Sequence, residues 1–300
     1  MNIIKNILVP VNFSKSSKNA VTTAIAMCKR HDAELHLMHI IDTEQLIPTA
    51  GMNIPLTGLE DKMIYELNQK LKQYAQEISS AEGLVCHTYC DSGFVPYAIS
   101  EKAKALNADL IVIGGRNKNS VSNLLPGNTA YNVVKQALQP VLIVPATSKS
   151  ISFKNILMPV RPILNIAEKY EFIKPIIKKN GASVFVLGAA NEYQPQKYQA
   201  MKNVISKTVE DMGKHNVPAE HEYYFRSKLA DAVIEKSKKL RADLIVITTT
   251  FNRSIKQFFV GSYTRKIANN NSTPVLCIKP YNMVLEDYDM KMQLKTPALS

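Results

Sequence analysis

Tryptophan is absent from this 300-residue chain, and cysteine and glycine are scarce, with four and 11 copies. The cysteine spacings match no zinc or redox motif. Cys86 and Cys90 share one face of a predicted strand, where they would lie about 13 Å apart. A disulfide tolerates a Cα separation of only about 7 Å. We therefore expect four free thiols, with Cys28 and Cys277 in hydrophobic cores.

The chain has no apolar run long enough to span a bilayer. Met1 to Lys5 leads directly into a predicted strand and shows none of the regions of a signal peptide. We therefore expect a cytoplasmic protein without membrane contacts. The net charge of +12 is compatible with an anionic partner. Because the lysines are dispersed, we interpret the charge as a solvated surface and do not expect nucleic acid as a partner.

An internal repeat organises the sequence. Three segments occur twice in the same order: KNILVPV at 5–11 and KNILMPV at 154–160, ADLIVI at 108–113 and at 242–247, and PVLIV at 140–144 and PVLCI at 274–278. Such self-similarity predicts two copies of one domain. We place them at residues 1–147 and 148–280, with residues 281–300 as a C-terminal tail.

Strands and helices alternate in each copy. The predicted strands are 5–11, 33–41, 84–90, 109–114 and 140–145, then 155–160, 182–189, 219–225, 243–248 and 274–279. The predicted helices are 15–31, 59–81, 95–106 and 128–138, then 163–178, 195–215, 228–240 and 262–270. This alternation predicts an α/β fold in which helices cover both faces of a parallel sheet.

A loop marked by glycines follows the fourth predicted strand. Leu110–Ile113 is a continuous apolar run, as in strands buried on both faces. Gly114 and Gly115 end it, and a polar loop leads to Gly127 and a helix start near Thr129. Helix N-termini present free N–H groups, and glycine lets the backbone approach an anion closely. The stretch is therefore a candidate phosphate site.

Several segments of the first copy together resemble the universal stress protein family. They are VPVNFS at 9–14, HIID at 39–42, ADLIVIG at 108–114 and Gly127 before a helix. The resemblance extends over residues 6–280. It implies two tandem doubly wound domains of the adenine-nucleotide alpha-hydrolase-like kind, each with a five-stranded parallel sheet. It also implies a nucleotide site at the carboxyl edge of the sheet, which agrees with the general rule for open α/β sheets.

ATP-binding members of this family carry the motif G-x2-G-x9-G followed by Ser or Thr. In the first copy Gly114 and Gly127 keep two of the three glycines. Asn117 stands at the second glycine, Asn128 at the hydroxyl position, and Thr129 follows. Asparagine tolerates positive φ, so Asn117 can keep the turn, although its side chain would crowd a phosphate.

The resemblance implies an ATP site, with Mg²⁺, in the first copy. The implied contacts are Val11, Asn12 and Ile40 around the nucleoside, and Gly114, Arg116, Asn117, Gly127, Asn128 and Thr129 around the phosphates. Asn12 replaces an aspartate that is usual in the family, so it keeps an acceptor and loses the charge. The alternative is that the glycines only serve the turn and the cleft holds no ligand.

The second copy departs further from the motif. Gly261 and Ser262 survive, but Thr248 and Phe251 replace the two earlier glycines, and Arg161 stands at the position of the aspartate. Bulky or β-branched residues oppose the close approach of a triphosphate. We expect no cofactor in this copy.

The sequence offers no catalytic or metal site. It lacks the Walker, dinucleotide-binding and nucleophile-elbow motifs. His36 and His39 point to opposite faces of one strand. His87, His215 and His221 have no acidic or cysteine neighbours at ligand spacing. We expect no metal and no enzyme, beyond slow ATP hydrolysis at most.

Three functions follow as hypotheses. The first is a stress-response regulator that binds ATP in its first copy. The second is an interaction protein without nucleotide that acts through an unidentified protein partner. The third is a site for a different small ligand, or a small enzyme, near Arg161 and Phe251. The family also implies an intramolecular pseudo-dimer in which strands 140–145 and 274–279 cover each other's edges.

Overall fold

The computed structural model describes residues 4–42, 56–115, 129–148, 151–161, 166–190, 194–225, 227–252, 257–259, 261–270 and 272–279. The chain divides into an N-terminal unit, Ile3–Ser152, and a C-terminal unit, Phe153–Asn270 with the strand that begins at Val275. The tail expected at 281–300 lies outside the described residues.

The N-terminal unit alternates strands and helices as predicted. Its elements are β1 (Asn6–Pro10), α1 (Lys15–His31), β2 (Glu34–Asp42), α2 (Leu56–Glu82), β3 (Cys86–Gly93), α3 (Val95–Ala105), β4 (Leu110–Gly114), α4 (Thr129–Gln136) and β5 (Val141–Val144). The strands are parallel, in the order β3-β2-β1-β4-β5. This arrangement confirms the doubly wound α/β fold.

The C-terminal unit repeats this plan. Its elements are β6 (Asn155–Val160), α5 (Ile166–Asn180), β7 (Ser183–Ala190), α6 (Pro195–Lys214), β8 (Ala219–Phe225), α7 (Leu229–Lys239), β9 (Leu244–Thr248), β10 (Thr250–Asn252), β11 (Gln257–Phe259), α8 (Ser262–Asn270) and β12 (Val275–Ile278). The parallel order is β8-β7-β6-β9-β12. The antiparallel pair β10–β11 was not predicted, because three-residue strands are too short to show periodicity.

Several boundaries differ from the predicted ones by two or three residues. Helix α2 begins at Leu56, three residues before the predicted start. Strand β3 covers Cys86–Gly93 and not 84–90, because it stays paired with β2 up to the contact of Gly93 with Asp42. The residues at this end are polar, so apolar alternation did not mark them.

A carboxylate fixes the start of β1 against β4. Asp109 Oδ2 accepts hydrogen bonds from the backbone N–H groups of Lys5, at 2.7 Å, and Asn6, at 2.9 Å. The backbone N–H of Asp109 in turn donates to the carbonyl of Asn6, at 2.9 Å. We call this arrangement the strand-start clamp. It satisfies backbone donors that precede the β1 ladder.

The C-terminal unit contains the same clamp. Asp243 Oδ2 accepts from the backbone N–H groups of Lys154, at 3.1 Å, and Asn155, at 3.0 Å. The N–H of Asp243 donates to the carbonyl of Asn155 at 2.8 Å. The repeated KN and AD segments are therefore two halves of one hydrogen-bonded unit, which gives a physical reason for their recurrence.

The strands that follow the clamps form the cores. Leu110–Ile113 in β4 and Leu244–Ile247 in β9 are all buried, as the absence of alternation predicts for parallel strands covered on both faces. The four cysteines are free thiols, with Cys28 and Cys277 in the cores as expected. Burial raises the pKa of both buried thiols to about 12. Among the described helices, none combines the length and apolar content needed to cross a membrane.

The strand-start clamp should contribute measurably to stability. Replacing Asp109 with alanine leaves two backbone donors without their charged acceptor, so we expect Asp109→Ala to lower the free energy of unfolding by about 1.5–3 kcal/mol. Glu82→Ala is the matched control, because it removes a carboxylate of the same unit from a surface ion pair with Lys29 and should cost less than about 1 kcal/mol. Urea denaturation measures both values. Equal losses would refute a special role for the clamp.

Candidate functional site

The carboxyl ends of β1 and β4 form the central crevice of the N-terminal unit. Strand β1 pairs with β2 on one side and with β4 on the other. Successive crossovers therefore leave in opposite directions, and the edge between β1 and β4 is the topological switch point, where open α/β sheets bind ligands. Val11 and Asn12 follow β1 directly, and Gly114 ends β4. We call this place the N-terminal switch point.

The structure describes five of the nine predicted site residues. Val11 is 3% exposed and its N–H donates to the carbonyl of Met38 at 2.7 Å. Ile40 lies half-buried near the end of the neighbouring strand β2, and Thr129 is exposed as the first residue of α4. The predicted residues Arg116, Asn117, Gly127 and Asn128 lie outside the described residues.

The side chain of Asn12 is oriented by the first turn of α1. Its Oδ1 accepts hydrogen bonds from the Ser14 hydroxyl, at 2.6 Å, and from the Ser14 backbone N–H, at 3.2 Å. Ser14 in turn caps α1, as its hydroxyl accepts from the N–H of Ser17 at 3.3 Å. The acceptor of Asn12 is therefore engaged within the protein. Its Nδ2 donors have no partner among the described residues, and the residue is exposed.

Sequence analysis did not predict the aromatic cluster that lies beside Asn12. Phe13 has φ +58°, which is unusual for a bulky residue, and its ring stacks on His39 with centroids 5.6 Å apart. The ammonium group of Lys70 lies 4.3 Å from the Phe13 ring centroid. His39 Nδ1–H donates to the carbonyl of Val11 at 2.7 Å, and burial lowers its pKa, so the ring is neutral near pH 7. No sequence signal reports a positive φ at phenylalanine.

Gly114 has a packing role. A Cβ atom at this position would lie 2.7–2.9 Å from the backbone of Ser16 and Ser17. Helix α1 therefore approaches the end of β4 so closely that only glycine fits. The neighbouring Gly115 donates its N–H to the carbonyl of Val144 at 2.7 Å. Part of the glycine pattern thus serves the fold whether or not a ligand binds.

The corresponding place in the C-terminal unit, between β6 and β9, carries different chemistry. Arg161 follows β6 directly, and its guanidinium carbon lies 4.7 Å from the ring centroid of Tyr263 in the first turn of α8. Thr248 ends β9, and the next residue, Thr249, is buried and donates its N–H to the carbonyl of Ile278 at 3.0 Å. We call this place the C-terminal switch point.

A buried lysine stands close to Arg161. Lys169, in the first turn of α5, is 4% exposed and donates to the carbonyl of Pro159 at 2.7 Å. Burial, and secondarily the charge of Arg161, lowers the pKa of Lys169 from 10.5 to about 7. No described carboxylate forms an ion pair with either cation. The hydroxyl of Tyr263 is sealed from solvent and has no partner within the described ranges, and burial raises its pKa.

Sequence analysis identified Arg161 but missed Lys169 and Tyr263. A lysine in the first turn of a helix is usually solvated, and nothing in the local pattern marks Lys169 as buried. Tyr263 follows the surviving Gly261 and Ser262, which was the available signal for its position.

Comparison with known proteins bears on the family and the fold of the chain. A profile of the Universal stress protein family matches residues 4–145 and 178–279. A universal stress protein of Mycolicibacterium smegmatis is 23% identical over 292 residues, which covers 91% of this chain and 97% of that protein. One from Methanocaldococcus jannaschii is 29% identical over 151 residues, covering 49% of this chain and 86% of that protein.

A solved structure has the same fold over most of the chain. It is a universal stress protein from Archaeoglobus fulgidus, with a TM-score of 0.70, 17% identity, and coverage of 91% of this chain and 97% of that one. At this identity the likeness concerns the fold alone. It supports the tandem α/β architecture.

Because α1 lies so close to Gly114, an added methyl group should lower the stability of the protein at this glycine but not at a glycine with open space around it. Gly114→Ala forces α1 away from β4, so we expect a loss of about 1–3 kcal/mol in the free energy of unfolding. Gly213→Ala is the matched control, because that glycine lies in α6 and a Cβ atom added there would meet no atom within 4 Å. This variant should gain about 0.5–1 kcal/mol in the free energy of unfolding. Thermal or urea unfolding tests the pair. A Gly114→Ala protein as stable as wild type would contradict the packing role.

Proposed function

Because the chain belongs to the universal stress protein family, we propose that it is a stress-response regulator whose N-terminal unit binds ATP, with Mg²⁺, at the N-terminal switch point. In this proposal the protein acts through its nucleotide occupancy. The nucleotide itself would supply the signal, through its cellular concentration.

The orientation of Asn12 carries this proposal. Its Oδ1 is held by Ser14, so its N–H donors are the polar groups that it could offer to a ligand. A donor suits the hydroxyl oxygens or ring nitrogens of a nucleoside. The exposed hydroxyl of Thr129, at the start of α4, stands where a helix N-terminus favours phosphate. Half-buried Ile40 would supply apolar surface for a nucleoside to cover, whereas Val11 is buried and would contribute little.

Calorimetric titration of the full-length, nucleotide-stripped protein with Mg-ATP tests this proposal. We expect saturable binding to one site per chain. Gly127→Val should weaken it at least tenfold, because a branched side chain blocks the approach of a phosphate to the backbone. Arg161→Gln, which alters the equivalent place in the C-terminal unit, should leave the affinity unchanged.

Two outcomes would contradict nucleotide binding by the N-terminal unit. If millimolar ATP gives neither heat nor a shift of the unfolding temperature in the folded protein, the nucleotide proposal fails, and an interaction protein without nucleotide becomes the better account. If Arg161→Gln abolishes binding and Gly127→Val does not, the nucleotide occupies the C-terminal unit.

A second candidate function concerns the C-terminal switch point. We propose that it binds a small oxyanion, carried by a ligand other than ATP. Arg161 and Lys169 lack a described carboxylate partner, and the sealed hydroxyl of Tyr263 lacks a described acceptor. Buried cations and hydroxyls are normally paired. A phosphate or carboxylate group would supply the charge and the acceptors that are missing among these residues.

Inorganic phosphate is the probe for this site. It should raise the unfolding temperature of the wild-type chain more than that of Lys169→Met or Arg161→Gln, because binding to the folded state alone stabilises it. Lys238→Gln, which removes an exposed charge of the same unit, controls for the general stabilising effect of phosphate on proteins. Equal shifts in all four proteins would refute the site.

The pH dependence of the free energy of unfolding tests whether Lys169 takes part in this site. Folding lowers its pKa from 10.5 to about 7, so between these values the unfolded chain binds more protons than the folded one. The free energy of unfolding of the wild type, relative to that of Lys169→Met, should therefore rise with pH across this window. The comparison cancels the opposite contribution of the buried thiols Cys28 and Cys277, whose pKa values are raised by folding. Bound phosphate should flatten the wild-type profile, because it favours the charged lysine.

A further inference from the structure

Two histidines and a glutamate meet at the amino edge of the N-terminal sheet, at the opposite ends of the strands from the switch point. His36 on β2 is paired in register with His87 on β3, and their rings are stacked with centroids 4.8 Å apart. Glu34 lies two residues before His36, on the same face of β2, and accepts a hydrogen bond from His87 Nε2–H at 2.8 Å. Linear spacing could not reveal this group, because parallel pairing brings its members together.

The buried histidine is held in a fixed orientation. His36 is 5% exposed. Its Nδ1 lies 3.1 Å from the hydroxyl of Tyr89, and its Nε2 lies 3.2 Å from Asn6 Oδ1. Asn6 is the register partner of Glu34 on β1. The Nε2 atom of His36 therefore faces the side on which Glu34 stands.

The spacing of these atoms suits a metal ion. One donor atom from each of Glu34, His36 and His87 lies within 4.8 Å of the other two. Neighbouring ligands of a tetrahedral zinc ion with bonds of 2.0–2.2 Å are about 3.3–3.6 Å apart. The distance from His36 Nε2 to Asn6 Oδ1, 3.2 Å, is near that range, and the distance from His87 Nε2 to Glu34 Oε2, 2.8 Å, is shorter. Modest rotation of the side chains of exposed Glu34 and half-buried His87 would bring the three donor atoms from their present separations, within 4.8 Å, to the spacing that the ion requires.

We propose that Glu34, His36 and His87 form a binding site for a divalent transition-metal ion of the zinc class. The ion would take Nε2 from each histidine and a carboxylate oxygen from Glu34, with Asn6 Oδ1 or water in the fourth position. Imidazole nitrogens favour such ions over Mg²⁺ and Ca²⁺, which prefer oxygen ligands. The Tyr89 hydroxyl would accept Nδ1–H of His36 and so orient the ligand from behind, as hydrogen-bond partners of metal-bound histidines do.

The role of the site follows from its position. Its residues come from β2 and β3, and Asn6 comes from β1, so an ion would join three neighbouring strands of one sheet. An ion that binds only the folded state stabilises it. The site would thus be a structural metal site. It is separate from the proposed site of nucleotide and Mg²⁺ at the other edge of the sheet.

Titration of the metal-free, full-length protein with Co²⁺ tests this proposal. We expect one equivalent to bind and to give the strong visible absorption of four-coordinate cobalt, without the charge-transfer band of a thiolate ligand. Zn²⁺ should displace the cobalt and raise the unfolding temperature. The absorption should saturate at one ion per chain.

Matched variants locate the ion. His87→Ala and Glu34→Gln should each weaken Co²⁺ binding at least tenfold. His215→Ala removes an exposed histidine from the C-terminal unit and should have no effect. Cys86→Ser should also bind normally, because Cys86 is paired in register with buried Leu35 and so faces the other side of the sheet from His87.

Circular dichroism and the melting curve of each metal-free variant establish that it is folded. Glu34 is exposed, so Glu34→Gln keeps the test valid if His87→Ala unfolds. The proposal is overturned if the folded wild type shows no saturable Co²⁺ binding, or if Glu34→Gln binds with wild-type affinity. Loss of binding in His215→Ala or Cys86→Ser would place the ion elsewhere and also overturn it.

Discussion

The pairing of the first strand of each unit with its fourth strand is the interaction on which the remaining structure depends. An aspartate at the start of β4 holds the start of β1, and another at the start of β9 holds that of β6. The apolar residues that follow are buried on both faces of the sheet. This pairing brings the carboxyl ends of β1 and β4, and those of β6 and β9, side by side. It therefore creates the two switch points before any ligand is considered.

The two copies use this common frame for different chemistry. In the N-terminal unit, Asn12 presents an uncharged amide, and Gly114 lets α1 pack against the end of β4. In the C-terminal unit, Arg161 lies over an aromatic ring beside a buried lysine, and Thr248 ends the strand. Duplication preserves the fold because the clamp and the buried strands are retained.

Sequence analysis succeeded where local pattern determines structure. The repeated segments predicted both sheets, and the apolar run at 110–113 predicted a fully buried strand. It failed where long-range packing decides. The positive φ of Phe13, the burial of Lys169 and the pairing of His36 with His87 depend on neighbours distant in sequence. The phosphate contact at Gly114 stays a prediction, and the structure adds a packing role against α1 that the sequence did not show. A glycine in a motif can serve the fold and a ligand at once.

The two copies share one fold, and we propose that they bind different ligands, with nucleotide confined to the N-terminal unit. A crystal structure of the full-length protein with a non-hydrolysable Mg-ATP analogue tests it most directly. The account predicts electron density for one nucleotide per chain, beside Asn12 at the carboxyl ends of β1 and β4, and none beside Arg161. Nucleotide bound beside Arg161, or a vacant N-terminal switch point at saturating analogue, would contradict it.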